Sequence, residues 1–231
     1  MSKDIHGQAL LDYFHGEQSS ELHINNLYGE PEEMPVEHYF RNSNQFTELE
    51  KKALEFCSGK ILDIGSAAGS HALALQNEGK DVTTLEISEG CVEVMKARGL
   101  KQVVLEDYRN HRHKYDTLIL LMNGIGIAGT LNEIPDFLTT CKKLLNAGGQ
   151  IILDSSDIKY LYEDSPDIEV PYPYYGDIRY QYEYKDMKGE WFDWVYADGT
   201  MLEQIVLDKG LQMEVLEQDE YDQFLARITG F

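Results

Sequence analysis

The stretch ILDIGSAAGSHALAL, Ile61 to Leu75, places an acid, Asp63, two positions before the first of two glycines four residues apart, Gly65 and Gly69. It is apolar before the turn and rich in Ala and Leu after it, the pattern of a strand ending at Ile64 and a helix starting near Gly69. Such a turn aims backbone N–H groups and the positive end of a helix at the space above a sheet. Neither glycine carries a Cβ and both tolerate unusual dihedrals, so a ligand can approach bare main chain. Glu86 ends the next apolar run twenty-one residues after Gly65. At that spacing a carboxylate can take two ribose hydroxyls. Dinucleotide-binding proteins use the same device with a G-x-G-x-x-G pattern, but here its middle and last positions are Ala67 and Ser70.

Elements that can hold these residues follow from the chain's period. From about Thr47 to Asp154, short β-like runs alternate with helical patterns, as in a parallel sheet with crossover helices. The strands are expected at Lys60–Ile64, Asp81–Glu86, Gln102–Leu105, Tyr115–Leu121 and Gln150–Asp154, apolar enough to be buried on both faces. Between them Phe46, Leu49, Ala53 and Cys57 recur at helical spacing, as do Phe137, Cys141, Leu144 and Leu145. Gly79, Gly99 and Gly148 fall where helices should stop.

The flanks are of other kinds. Residues 1–45 read as a cap of one amphipathic helix, IHGQALLDYF, followed by a polar loop, ahead of a main domain over 46–231. Residues 155–197 hold nine of the fifteen tyrosines, and IRYQYEYK and EWFDWVYA alternate around a turn at Asp186–Gly189. That period predicts an antiparallel hairpin insertion at about 172–197. Thr200 and Glu203 form a capping-box pattern opening a helix that ends near Gly210, and LQMEVLEQ and DQFLARI read as two more strands.

Composition bounds the function. A formal charge of −21 repels phosphate backbones and acidic membrane surfaces, which disfavours nucleic acid and membranes as partners. The three cysteines, Cys57, Cys91 and Cys141, are far apart and odd in number, so they read as free thiols in a reducing compartment. No Cys/His spacing suits zinc, and no metal is expected. No apolar run approaches the ~20 residues of a spanning helix, and the N-terminal segment has no signal-peptide pattern. A cytoplasmic chain is expected.

The residues together resemble the class I S-adenosylmethionine-dependent methyltransferases, in particular the small-molecule type. The likeness covers roughly Tyr39 to Asp157 and, more loosely, the C-terminal strands. Its landmarks are ILDIGSAAG, LEIS, LEDY, LLMNGIG and LLNAGGQIILDSSD, after or around five successive strands. The departure is Ala67, where the family usually has a second glycine. The resemblance implies a Rossmann-like, doubly wound α/β fold, with a mostly parallel seven-stranded sheet and one antiparallel strand. S-adenosylmethionine would lie across the carboxyl ends of the first strands. Carried over by position, Asp63, Gly65 and Ser66, with Ala67 and Gly69 in the same turn, would face its methionine part. Glu86 would hold the ribose, Ile87 would pack beside the adenine, and Asp107 with Tyr108 would complete the adenine site. Asn123 would sit nearest the methyl group, and Arg41 would reach the cofactor carboxylate.

Chemistry alone agrees in part. The cofactor carries a sulfonium, an ammonium and a carboxylate, and acids at two ends with a cation at the third match those charges. Methyl transfer is an in-line displacement, so the main task is to align a nucleophile at about 3 Å and exclude water. If the acceptor is an amine or hydroxyl, His38, Asn123, Tyr174, Tyr175 or Asp157 could orient it or take its proton. Each has a structural alternative: Asp and Asn favour turns after strands, and alternating tyrosines stabilise cross-strand pairs without any ligand. A small-molecule methyltransferase is therefore expected. Beside it stand a non-catalytic S-adenosylmethionine-binding module and an NAD-dependent oxidoreductase.

Overall fold

A computed structural model of the chain describes residues 4–17, 19–27, 29–163 and 173–231. In chain order the elements are α1 (Ile5–Phe14), β1 (Leu22–Asn25), β2 (Glu32–Glu33), α2 (Glu48–Phe56), β3 (Lys60–Ile64), α3 (Ser70–Asn77), β4 (Asp81–Glu86), α4 (Glu89–Ala97), β5 (Val103–Leu105), β6 (Tyr115–Leu120), α5 (Ile134–Leu144), β7 (Leu145–Ser156), α6 (Tyr160–Glu163), β8 (Asp177–Tyr184), β9 (Met187–Lys188), β10 (Phe192–Val195), α7 (Gly199–Asp208), β11 (Gln212–Gln218) and β12 (Gln223–Thr229).

Seven strands form one sheet in the order β11-β12-β7-β6-β3-β4-β5. β3, β4, β5, β6 and β7 pair in parallel, whereas β12 runs antiparallel to both neighbours. The order reverses beside β3, and open α/β sheets bind ligands at such a switch point. Period-two alternation sends neighbouring side chains to opposite faces. Leu62, Leu118 and Ile151 pack with Phe137, Leu144 and Leu202 of α5 and α7. Ile61, Ile119 and Ile152 pack with Leu49, Ala72 and Met95 of α2, α3 and α4. Each fully buried aliphatic side chain stabilises the fold by about 1.5–3 kcal/mol, so the doubly covered sheet carries much of the burial energy.

The second sheet is smaller. β1 pairs with β2 and β8, and β8 pairs with β10 and β9, all antiparallel. The expected hairpin is present in β8 and β10, although residue 172 of its expected span lies outside the described residues. The polar loop expected after α1 instead supplies β1, two residues of β2 and the 3-10 turns Val36–Phe40 and Ser43–Gln45. β1 is only four residues long and gains its pairing from β8, far away in sequence.

Two further expectations change. The cap of α7 is Asp198, whose side chain accepts from Met201 N, and not Thr200. Gly148, at φ 76°, lies inside β7, because α5 passes directly into the strand at Leu145.

Candidate active site

The glycine turn joins β3 to α3. Gly65 has φ 73°, Ala67 48° and Gly69 75°, so three of its residues are left-handed. Gly65 N donates to Leu85 O (2.8 Å), Gly69 N to Ser66 O (2.7 Å), and Ser66 Oγ to Asp63 O (2.8 Å). A Cβ on Gly65 would lie 2.6 Å from the terminal methyl of Ile127, which can swing aside, so it is the left-handed dihedral angle that selects glycine there. Ala67 occupies the left-handed conformation that glycine holds at lower cost, so the departure seen in the sequence adds strain to the turn.

Glu86, at the end of β4, is buried and ties two loops together. Its Oε2 accepts from Ala67 N (3.0 Å), and its Oε1 accepts from Ile87 N (2.8 Å) and Ser88 N (3.1 Å). Burial pushes its carboxyl up from the ordinary range, and these three bonds oppose the shift. Beyond it Ile87 is 72% exposed, and Leu105 at the end of β5 is 47% exposed. Two large apolar side chains at the carboxyl ends of neighbouring strands give a flat ring something to cover.

Asp63 is buried at the end of β3, and its Oδ2 has no hydrogen-bond partner among the described residues. Burial pushes its carboxyl up to about 6, with the nearby His71 acting in the opposite sense. A buried acceptor left open is costly, and an ammonium group would satisfy it.

Arg41 is engaged within the protein. Its Nη2 and Nη1 meet Glu50 Oε1 and Oε2 at 2.7 and 3.0 Å, its Nε donates to His38 O, and His71 Nε2 lies 2.8 Å from Glu50 Oε1. Burial raises the Glu50 carboxyl, but His71, Thr47 and Arg41 outweigh it and hold the group at about 2. His38 is exposed in the turn Val36–Phe40, and no hydrogen bond from its imidazole to another candidate residue is found among the described residues.

Asp107 also has a local partner. Its Oδ1 accepts from Arg109 N (2.8 Å), an Asx-type turn, and Arg109 Nε and Nη2 grip both its oxygens. Those bonds, led by the Arg109 side chain, hold its carboxyl below the usual range. Tyr108 packs edge-on against Phe137, with ring centroids 5.6 Å apart, and burial pushes its hydroxyl up to about 12.

After β6, Met122 and Asn123 are left-handed in succession, at φ 63° and 59°. Two non-glycine residues in that region store about 1–3 kcal/mol each, and such strain gathers at functional sites. Here both sheets restrain the turn. Asp154 Oδ1 on β7 accepts from Gly124 N (3.2 Å), and Asn123 Nδ2 donates to Val195 O on β10 (3.3 Å). Asn123 Oδ1 is buried without a partner among the described residues. Trp194 lies where a Cβ on Gly126 would be, so β10 rests on the turn Gly124–Ala128.

Tyr174, Tyr175 and Asp157 do come together, around the cap of α7. Tyr174 Oη donates to Asp198 Oδ2 (2.7 Å), and Tyr175 Oη donates to Asp157 Oδ1 (2.8 Å). Their hydroxyls thus serve the junction between β7 and α7. The sequence reading missed a second aromatic group next to the glycine turn. His6 of α1 stacks on Tyr182 at 5.0 Å and meets the edge of Tyr39 at 4.9 Å, and Tyr180 and Tyr196 share a hydroxyl contact of 3.2 Å. Tyr39 and Tyr182 pack in one cluster with Ala67, Ala68 and Cys91. Alternation in β8 could have flagged Tyr180 and Tyr182, but nothing in the sequence singles out His6.

Comparison with known proteins decides the family. A crystal structure of an S-adenosylmethionine-dependent methyltransferase from Bacteroides fragilis, in complex with S-adenosyl-L-homocysteine, is 39% identical; the match covers 98% of this chain and 94% of that one, with a TM-score of 0.91. The chain belongs to the S-adenosylmethionine-dependent methyltransferases. The methyltransferase-domain family model matches residues 62–153, which hold the glycine turn, Glu86 and Asn123. More remote likenesses show the fold alone. CcbJ methyltransferase from Streptomyces caelestis has 13% identity, coverage of 80% and 93%, and a TM-score of 0.60. The PH0226 protein from Pyrococcus horikoshii has 17% identity, coverage of 82% and 94%, and a TM-score of 0.62. No curated protein sequence matches the chain. This methyltransferase takes S-adenosylmethionine as cofactor, and the nicotinamide alternative falls away. Among the described residues no helix is long and apolar enough to cross a membrane.

Proposed function

We propose that this methyltransferase is a cytoplasmic enzyme that methylates a small molecule, with residues 1–45 and the hairpin closing over a domain of residues 46–231. The observation that carries the reading is the second sheet. Trp194 against Gly126 and Asn123 bonded to Val195 O set it on the turn that follows β6, where the methyl group would be delivered. A roof seated there favours an acceptor small enough to fit beneath it, and the charge of −21 disfavours a nucleic-acid acceptor. Three buried free thiols suit a reducing compartment.

The site fits the cofactor. When bound, S-adenosylmethionine supplies a methyl group on a positively charged sulfur. Asp63 Oδ2 is the open acceptor for its ammonium, with Gly65, Ser66, Ala67 and Gly69 forming the wall beneath the methionine part. Glu86 holds the ribose, while Ile87 and Tyr108 flank the adenine. Asp107 contributes by fixing its own turn, since Arg109 occupies its carboxylate. Asn123 Oδ1, buried and without a partner among the described residues, orients an acceptor N–H or O–H. Arg41 acts one layer out, through Glu50 and His71. Excluding water and aligning the nucleophile is the main catalytic contribution of such a site. Tyr174, Tyr175 and Asp157 are engaged at the cap of α7, and His38 is exposed in the turn Val36–Phe40, so none of them enters the proposed site.

The test is methyl transfer from labelled S-adenosylmethionine to a panel of amines, phenols, carboxylic acids and thiols, beside oligonucleotides and unfolded proteins. Label in the small-molecule arms is expected. Label in the polymer arms alone would overturn the acceptor class.

A further inference from the structure

The N-terminal helix bears directly on the segment that follows Glu86. One carboxylate caps two helices: Asp4 Oδ1 accepts from Gly7 N (3.0 Å) in α1, and its Oδ2 accepts from Ser88 Oγ (2.8 Å) and Gly90 N (3.0 Å) at the start of α4. The backbones touch there, since a Cβ on Gly90 would lie 2.5 Å from Gly7 O. Between Asp4 and Gly7 stands His6. Its Nδ1 is 3.7 Å from Cys91 Sγ in the first turn of α4, its ring lies between Tyr182 and Tyr39, and its Nε2 is buried with no partner among the described residues. Burial drives its pKa down to about 4, so the imidazole is neutral at pH 7.

Glu86 poses the complementary problem. An ionised carboxylate offers about four acceptor positions. Three are taken by the N–H groups of Ala67, Ile87 and Ser88. One position remains for a ribose that carries two hydroxyls.

We propose that His6 is a cofactor-contacting residue whose Nε2 hydrogen-bonds the ribose hydroxyl that Glu86 has no position left to take. The inference rests on the reading of Glu86 as the ribose acid. A hydroxyl both donates and accepts, so either tautomer of His6 serves. Nε2 is covered by its neighbours, so it would meet the ribose only with a shift of α1, and the Asp4 cap with the Gly7–Gly90 contact would set the helix back over the nucleoside.

The experiment is calorimetric titration of S-adenosylhomocysteine and its 2′-deoxy and 3′-deoxy analogues into the wild-type chain, His6→Phe and His6→Gln. His6→Phe should weaken S-adenosylhomocysteine about 2- to 13-fold, the weight of one hydrogen bond. It should leave one deoxy analogue unaffected, and His6→Gln, which restores a polar group near Nε2, should recover most of the loss. An equal loss for all three ligands, or none for S-adenosylhomocysteine, would overturn the proposal. Should His6→Phe fail to fold, the imidazole nitrogen resonances of the wild-type protein decide: Nε2 must shift with S-adenosylhomocysteine and with only one of the two deoxy analogues. Tight binding of S-adenosylhomocysteine that is indifferent to His6 sinks this inference alone, whereas no binding by well-folded wild-type protein sinks the reading of Glu86 as well.

Discussion

Replacing Asp63 by Asn tests the electrostatics of the glycine turn. The carboxyl is raised from 3.8 to about 6, chiefly by burial, with His71 partly opposing. Because the folded-state value is the higher one, the group's contribution to stability is fully present below about pH 4. It is lost as pH rises through 6, where the folded chain must hold a desolvated charge. A difference of about two pK units corresponds to roughly 3 kcal/mol at neutral pH. Denaturant unfolding of both proteins from pH 4 to 7.5 isolates the effect, since groups not coupled to Asp63 cancel in the difference between profiles. The wild-type chain should fall behind Asp63→Asn by up to that amount over the window. Its affinity for S-adenosylhomocysteine should do the opposite, weakening as pH drops below 6 and the carboxylate that meets the ammonium is protonated. At pH 7 Asp63→Asn should bind about 10- to 100-fold more weakly, from the loss of a charge-assisted hydrogen bond worth about 1.5–3 kcal/mol. Parallel unfolding profiles together with unchanged affinity would refute both the open acceptor and its role.

Glu86→Ala removes the acceptor of three loop N–H groups and, on the proposed reading, the carboxylate that would hold the ribose, so calorimetry should show a loss of about 1–3 kcal/mol in S-adenosylhomocysteine binding. Gly126→Ala drives a methyl group into the Trp194 ring; overpacking of that kind costs about 1–3 kcal/mol, read as a lower unfolding midpoint and altered Trp fluorescence. Arg41→Ala strips Glu50 of one of its two ion-pair partners while His71 remains, so a stability loss of about 2–4 kcal/mol is expected with little change in cofactor affinity. The Glu50 pair adds an acid limit: its stability is fully present above 4.5 and lost as pH falls towards 2.

The parallel strands were legible because burial on both faces leaves a continuous apolar signature, and their predicted ends fall within a residue or two except for the longer β7. β1 was not, because four residues, LHIN, gain most of their pairing from β8, some 160 residues away. Local competition blurred other readings. Asp198 and Thr200 are both good caps two residues apart, and the Tyr174 hydroxyl bonded to Asp198 accompanies the choice of the first. Asp107 follows a strand, as an adenine ligand would, yet the guanidinium two residues later claims its oxygens. Arg41 carries the right charge in the right place along the chain, and only folding reveals that Glu50 meets it. Charge type can be read from a sequence, whereas the partner that spends the charge cannot.

That distinction separates three buried acids at the carboxyl ends of strands. Glu86 on β4 ties the glycine turn to the segment after Ile87, and Asp154 on β7 accepts from Gly124 N and from Gln223 Nε2 (2.8 Å). Both are raised by burial, and both have protein partners on each oxygen, so their main work is to hold loops. Asp63 alone of the three keeps an oxygen without a partner among the described residues. The two satisfied acids thus hold their loops in place, the strained Met122–Asn123 turn included, whereas the third keeps a buried acceptor that the described residues leave unsatisfied. A cofactor bearing an ammonium group completes what the fold leaves open, so binding and folding should reinforce one another most strongly where Asp63 is ionised, above about pH 6.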